Sequence, residues 1–260
     1  MQKTLALMAV AAALSVSGAV AQESAKPTVV FVHGAFADSS GWNSVIEQLS
    51  KDGYRSMAAS NPLRSVTGDA ASVAAVLKSI PGDVVLVGHS YGGLVITEAA
   101  SGLPNVKALV YVAGFIPDTG ESAFALSTKF PGSTLGDALQ PVPLADGTVD
   151  LYIQSDKFHA QFAADVPEDV TALMSATQRP ATDVALNAAT TAEPAWKTVP
   201  TFVIYGELDQ NIPAELEAFM ADRAKAKKAI EIKGGSHALM VSHPNEIAAL
   251  IEDAVAATAL

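Results

Sequence analysis

Short apolar runs rich in β-branched residues alternate along this chain with longer segments whose apolar positions recur at helical spacing. Residues 28–33 (TVVFVH) read as a buried strand. In residues 40–54, Trp42, Val45, Ile46 and Leu49 share one helical face, and Gly53 ends it. A second strand is expected at 54–60, a helix at 67–80 closed by Pro81 and Gly82, a third strand at 83–88, and a helix from 91 to about 101. Further strands are expected at 107–113, 201–206 and 228–234, with helices at 214–225 and from about 244 onward. Strands that alternate with helices need crossover connections, which favour parallel pairing. The expected fold class is therefore α/β, a doubly wound, mostly parallel sheet of about six strands. Residues 116–198 break the rhythm. They hold Phe124, Phe130, Tyr152, Phe158, Phe162 and Trp196 among several prolines and give no convincing central strand, so a mainly helical cap inserted over one sheet edge is expected.

The first 21 residues follow a different logic. Lys3, an Ala-rich apolar stretch and Ala19-Val20-Ala21 have the layout of a secretory signal peptide cleaved after Ala21, leaving one domain over residues 22–260. The alternative, a membrane anchor, fits poorly with so short and small-residue-rich a core. Export to the periplasm or medium is expected, with no membrane insertion once the signal is removed. Half of the residues are apolar and 17% charged, ample for a core. The formal charge of -11 with no basic cluster argues against nucleic acid and anionic membrane surfaces as partners. No cysteine is present, which excludes disulfides, thiolate catalysis and Cys-ligated metal. Nothing in the pattern specifies an oligomeric state.

The third strand runs into Gly88-His89-Ser90-Tyr91-Gly92, a G-x-S-x-G sequence between a strand and a helix. A sharp turn there strains the backbone at Ser90 and projects its hydroxyl above the sheet. No G-K-[ST] follows and no G-x-G-x-x-G spacing is present, so a phosphate-binding loop is disfavoured. A serine hydroxyl needs a base, and the chain has five histidines. His33 and His89 sit where they shape the backbone. His159 lies in the insertion and His243 precedes Pro244. His237 lies in the Gly-rich loop after the last strand, KGGSHALMVSHP, and loops leaving the carboxyl ends of parallel strands gather at one edge. His237 can therefore reach Ser90. Asp209, in VIYGELDQNIP after the fifth strand, is the preferred third member, with Glu207 and Asp118 as alternatives. The N–H groups of Tyr91 and Ala35 are the expected oxyanion donors, because Gly34 and Ala35 leave room for a substrate oxygen. Phe36, Phe115, His89 and Leu208 flank these positions and are the expected substrate-facing side chains.

FVHGAFADSSGW, LVGHSYGGLVI, VIYGELDQNIP and GGSHALMVSHP stand in the order found in the α/β-hydrolase superfamily. More narrowly, the chain resembles the small group that holds plant methyl-ester esterases, hydroxynitrile lyases and bacterial pyrethroid-type esterases. The likeness runs from about Pro27 to the C-terminus and is weakest in the insertion. It implies a Ser90–His237–Asp209 triad, a helical cap and no cofactor. Two departures matter. The chain begins at the superfamily's third strand, which suits six strands rather than eight. And Ala238 stands where similar lyases carry a lysine, which removes the cation for a cyanide leaving group and favours hydrolysis. The expected activity is cleavage of small to medium apolar carboxylic esters or lactones. The alternatives are lyase or perhydrolase chemistry at the same residues, or a ligand-binding member without turnover.

Overall fold

The computed structural model describes residues 26–258; the expected signal peptide lies outside them. Seven elements build the first half: β1 (Thr28–Val32), α1 (Asn43–Lys51), β2 (Arg55–Ala59), α2 (Val66–Ser79), β3 (Val84–Ser90), α3 (Gly92–Ala99) and β4 (Val106–Gly114). A cap follows, made of α4 (Ala123–Ser127), α5 (Leu135–Ala138), β5 (Leu139–Pro143), β6 (Val149–Ile153), α6 (Phe158–Phe162), α7 (Glu168–Thr177), β7 (Ala181–Thr182) and α8 (Asp183–Asn187). The chain then returns to the main layer as β8 (Thr201–Gly206), α9 (Ala214–Arg223), β9 (Lys228–Ile232), α10 (Leu239–Ser242) and α11 (Pro244–Thr258).

The main sheet has six strands in the order β2-β1-β3-β4-β8-β9, and every pairing is parallel. β3 is buried along all seven residues, as a central parallel strand covered by helices on both faces should be. Its Val-Val-Leu-Val run supplies the β-branched bulk that such a position requires. From β1 the chain moves outward to β2, then crosses back so that β3 pairs with the other side of β1. The carboxyl ends of β1 and β3 thus flank the point where winding reverses, the place where open parallel sheets form a crevice.

The expectation of a mainly helical cap needs correction. Five short helices are present, but β5, β6 and β7 form a three-stranded antiparallel sheet among them. Its outer strand, Leu-Gln-Pro-Val-Pro, holds two prolines and is largely exposed. Proline cannot donate to a ladder but is tolerated at a sheet edge, so the strand is real although its composition argues against one.

Candidate active site

Ser90 ends β3 with φ at +54°, a left-handed conformation unusual for a residue with a side chain. The turn survives because its neighbours are glycine. A Cβ on Gly88 would sit 2.8 Å from the Gly92 carbonyl oxygen, and one on Gly92 would sit 2.5 Å from that of Val32. The start of α3 therefore lies against β1 at a distance only glycine allows. Gly34 obeys the same constraint from the other side, where a Cβ would come within 2.6 Å of Ser90 Cβ. The loop after β1 is thereby held directly beside the serine. Among the described residues, neither the Ala35 nor the Tyr91 N–H donates to a backbone acceptor, whereas the next amide along, that of Phe36, is engaged by the Arg179 carbonyl of the cap at 2.9 Å.

Two further loops close the far side. Glu207 N–H donates to Ile232 O and Leu208 N–H to Gly235 O, both at 2.9 Å, while Gly234 N–H donates to Glu207 Oε2 at 2.9 Å. The loops after β8 and β9 are thus clasped as one unit. From them, His237 Nδ1 donates to Asp209 Oδ2 at 2.6 Å, with both side chains buried. Asp209 Oδ1 in turn accepts from the Asn211 and Ile212 N–H groups at 2.7 and 2.9 Å, which fixes the carboxylate. With Nδ1 engaged, Nε2 is the ring nitrogen left for proton transfer. Ser90, Ala35, Tyr91 and His237 all line one cavity of about 440 Å³. The two other acids weighed for Asp209's place are occupied elsewhere. Glu207 is exposed and holds the loop clasp, and Asp118 pairs with Lys197 at 3.0 Å.

The expected substrate-facing residues divide. Phe36 and Phe115 line the cavity. Leu208 does not: it is 59% exposed and faces solvent, because the backbone bond to Gly235 turns its side chain outward. His89 does not either. It is fully buried, and its Nε2–H donates to the His237 carbonyl at 3.1 Å. Burial, then the neighbouring His237, hold its pKa well below the ordinary histidine value, so the ring stays neutral beside the second imidazole.

Three contributors were not among the expected site residues. Phe162 of α6 meets the His237 ring edge-on at 4.9 Å, bracketing it from the cap. Asp165 accepts a hydrogen bond from Ser236, tying the cap to the residue before the histidine. Asp69 of α2 accepts from the Tyr91 hydroxyl at 2.8 Å. Behind Asp209 lies Glu217 of α9, fully buried, with no ion-pair partner among the described residues. Burial, then the charge of Asp209, raise its pKa well above the usual carboxylate value.

A parallel six-stranded sheet with a serine on a strained strand-to-helix turn and a paired histidine and aspartate on later strand-end loops defines an α/β-hydrolase. The chain belongs to that family: the model of the alpha/beta hydrolase family matches residues 29–250. It is 29% identical over 240 residues to an alpha-hydroxynitrile lyase of Arabidopsis thaliana, covering 84% of this chain and 93% of that protein. To Methylesterase 9 of Arabidopsis thaliana it is 25% identical over 241 residues, covering 84% and 94%. The fold matches the crystal structure of polyneuridine aldehyde esterase with a TM-score of 0.75 at 21% identity, over 88% of this chain and 99% of the other.

Proposed function

We propose that the protein is a serine carboxylic-ester hydrolase acting on neutral, largely apolar esters through an acyl-enzyme. The observation that carries this reading is that His237, buried and bonded to Asp209, lines the same cavity as Ser90. Ser90 Oγ attacks the ester carbonyl while His237 Nε2 accepts its proton. The N–H groups of Ala35 and Tyr91 take the developing oxyanion. Asp209 holds the tautomer and stabilises the imidazolium. His237 Nε2 then gives that proton to the leaving oxygen, which departs as the alcohol and leaves the imidazole neutral. Water then gives its proton to the same nitrogen, attacks the acyl-enzyme and releases the acid, returning the proton to Ser90.

The substrate class follows from the cavity wall. Phe115, Phe124, Phe130, Leu135, Leu139 and Ile212 contribute apolar surface, and His237 is the one ionisable imidazole, with no lysine, arginine or carboxylate among the described lining residues. A charged arm would enter without a counter-ion, at a cost of several kcal/mol. The same lack of a cation, with Ala238 fully buried after the histidine, disfavours a departing cyanide. At about 440 Å³ the cavity falls within the range that holds small organic ligands.

The test is turnover of p-nitrophenyl acetate and butyrate, with and without an organophosphonate. Catalytic turnover abolished by one phosphonyl adduct on Ser90, located by peptide mass, is the expected result. A stoichiometric burst without turnover overturns the hydrolase reading in favour of a binding protein, and cyanide release from mandelonitrile without ester cleavage overturns it in favour of a lyase. Export belongs to the same reading and rests on the N-terminal 21 residues. A secreted or periplasmic product whose first residue is Gln22 is expected, and retention of Met1 on the recovered protein would refute it.

A further inference from the structure

A second cavity, of about 220 Å³, lies beside the catalytic one, and the two share a single side chain, Phe36. Its walls are mostly apolar: Val170, Leu173 and Met174 of α7 on the cap side, Met240 and Val241 of α10 on the other. The acidic group at its rim, Asp38, is already committed, since its carboxylate accepts from the Ser40 N–H at 2.7 Å as a helix cap. Phe36 itself is only 4% exposed although cavities lie on both sides of it. Its backbone is held at φ +62°, a costly conformation for a bulky residue. The bond from its N–H to the Arg179 carbonyl pins that conformation to the cap. Its ring stands edge-on to Phe162 at 6.4 Å, which stops it folding away toward His237. The residue directly after the expected oxyanion donor is therefore the side chain where the Ser90 cavity and the second, mostly apolar cavity meet.

We propose that Phe36 is the specificity-determining partition of this site, limiting the length of one neutral apolar arm of the ester, and that the cavity beyond it is a latent subsite for the end of that arm. Leu173 stands on the outer wall of that space and is 70% exposed, so its side chain governs how open the far end is. The occupant is an unbranched alkyl or aryl-alkyl chain. The space offers few unengaged polar partners, and a straight chain can pass a gap the width of one aromatic ring. This inference rests on the ester-hydrolase reading for its substrate but not for its geometry, and the test separates the two.

The experiment compares wild type, Phe36→Ala and the double variant Phe36→Ala/Leu173→Trp on two ester series, p-nitrophenyl acyl esters from acetate to decanoate and naphthyl or octyl esters of acetate. Phe36→Ala should raise the long-to-short ratio of kcat/KM in one series by at least about tenfold, the range expected when a hydrophobic pocket admits extra methylenes. Adding Leu173→Trp should return that ratio most of the way to wild type. If Phe36 merely props Phe162 and His237, kcat falls for every ester alike and the ratio stays within twofold, which overturns the proposal; so does a gain that Leu173→Trp leaves intact. Phe36→Leu gives the same direction with a smaller gain, should the alanine variant not fold. If wild type cleaves none of these esters, the hydrolase reading fails, and binding of the neutral dye N-phenyl-1-naphthylamine decides the partition alone. Tighter binding to Phe36→Ala, reversed by Leu173→Trp, supports it, and equal affinity in all three proteins overturns it.

Discussion

The main sheet and the cap share one apolar core, but the seam between them is laced with polar bonds that the sheet interior lacks. β3 and its neighbours bury almost every side chain, and Ser90 is fixed by close contacts that allow no Cβ at Gly88, Gly92 or Gly34. The cap reaches the same core through Phe158, Phe162 and Val166, and its seam with the sheet layer adds separate hydrogen bonds. Thr182 N–H and Oγ1 donate to the Leu63 and Arg64 carbonyls, Arg64 reaches Asp150 and Pro180, and Gln161 reaches Asn211. Apolar burial is cooperative and non-directional, whereas a seam of polar bonds exchanges with water at little net cost. The sheet therefore fixes the chemistry, and the cap is the part free to differ in what it admits.

The largest test of that division is Asp209→Asn. An asparagine at this position keeps the shape but can donate to Nδ1, favouring the wrong tautomer of His237. A fall in kcat on the order of 10⁴ is expected, with the melting temperature nearly unchanged. Steady-state kinetics on a short ester read it, and a loss below about tenfold would mean that another acid serves the histidine.

Next in size is Gly93→Ala, which probes packing. A Cβ there would come within 2.9 Å of the Phe115 amide nitrogen and closer still to its carbonyl, so α3 must shift relative to β4. Overpacking of this kind costs about 1–3 kcal/mol, and backbone is a less forgiving neighbour than a side chain. Urea unfolding should show the loss, together with a fall in activity, because α3 carries the Tyr91 amide at its start. A comparable glycine-to-alanine change at exposed Gly136 in the cap, where nothing among the described residues lies within 4 Å, should leave stability almost unaffected.

The same contrast explains what could be read from the chain. The sheet strands announce themselves because a strand buried on both faces must be continuously apolar, and the elbow does so because its steric demands admit only glycine two residues to either side of Ser90. His237 and Asp209 follow from topology alone, as residues just beyond strand ends. The direction of a side chain within a turn does not follow, and for that reason Leu208 faces water and His89 faces the core although both adjoin the reacting groups. The cap sheet is hidden by the prolines of β5 and by the two-residue length of β7. Asp165 meets Ser236 across 71 positions, a pairing that no local pattern encodes.

Glu217 offers a test that depends on pH. In the fold its carboxyl is pushed upward by burial and then by Asp209, so it stays protonated, while in the unfolded chain it ionises near the usual value of about 4.5. Below that value both states hold the proton and nothing is lost. As pH rises through the unfolded value toward the folded one, the unfolded state alone releases a proton, and stability falls. Glu217→Gln cannot titrate. Its melting temperature relative to wild type should therefore rise with pH above the unfolded value and level off where the folded carboxyl ionises, in a differential scanning series. A difference that is flat with pH would show that the carboxyl is already ionised in the fold.

The smallest expected effect lies on the cap seam. Arg64 donates through Nη1 to Asp150 at 2.6 Å and through Nη2 to the Pro180 carbonyl at 2.8 Å, and its own carbonyl receives Thr182 Oγ1. The Arg64 side chain is 44% exposed, so the ion pair contributes at most about 1 kcal/mol. For a domain of this size that lowers the melting temperature by about 2–4 °C. Arg64→Met keeps the bulk and the backbone bonds while removing the charge. If the cap governs admission, KM for bulky esters should rise several-fold while kcat for p-nitrophenyl acetate moves by less than about twofold, because Ser90, His237 and Asp209 take none of their contacts from this residue. An equal fall in kcat for large and small esters would mean that the seam orders the reacting groups too, and the division between a fixed sheet and an adaptable cap would have to be redrawn along the Tyr91–Asp69–Arg64 path, where the Arg64 N–H donates to Asp69 at 3.2 Å.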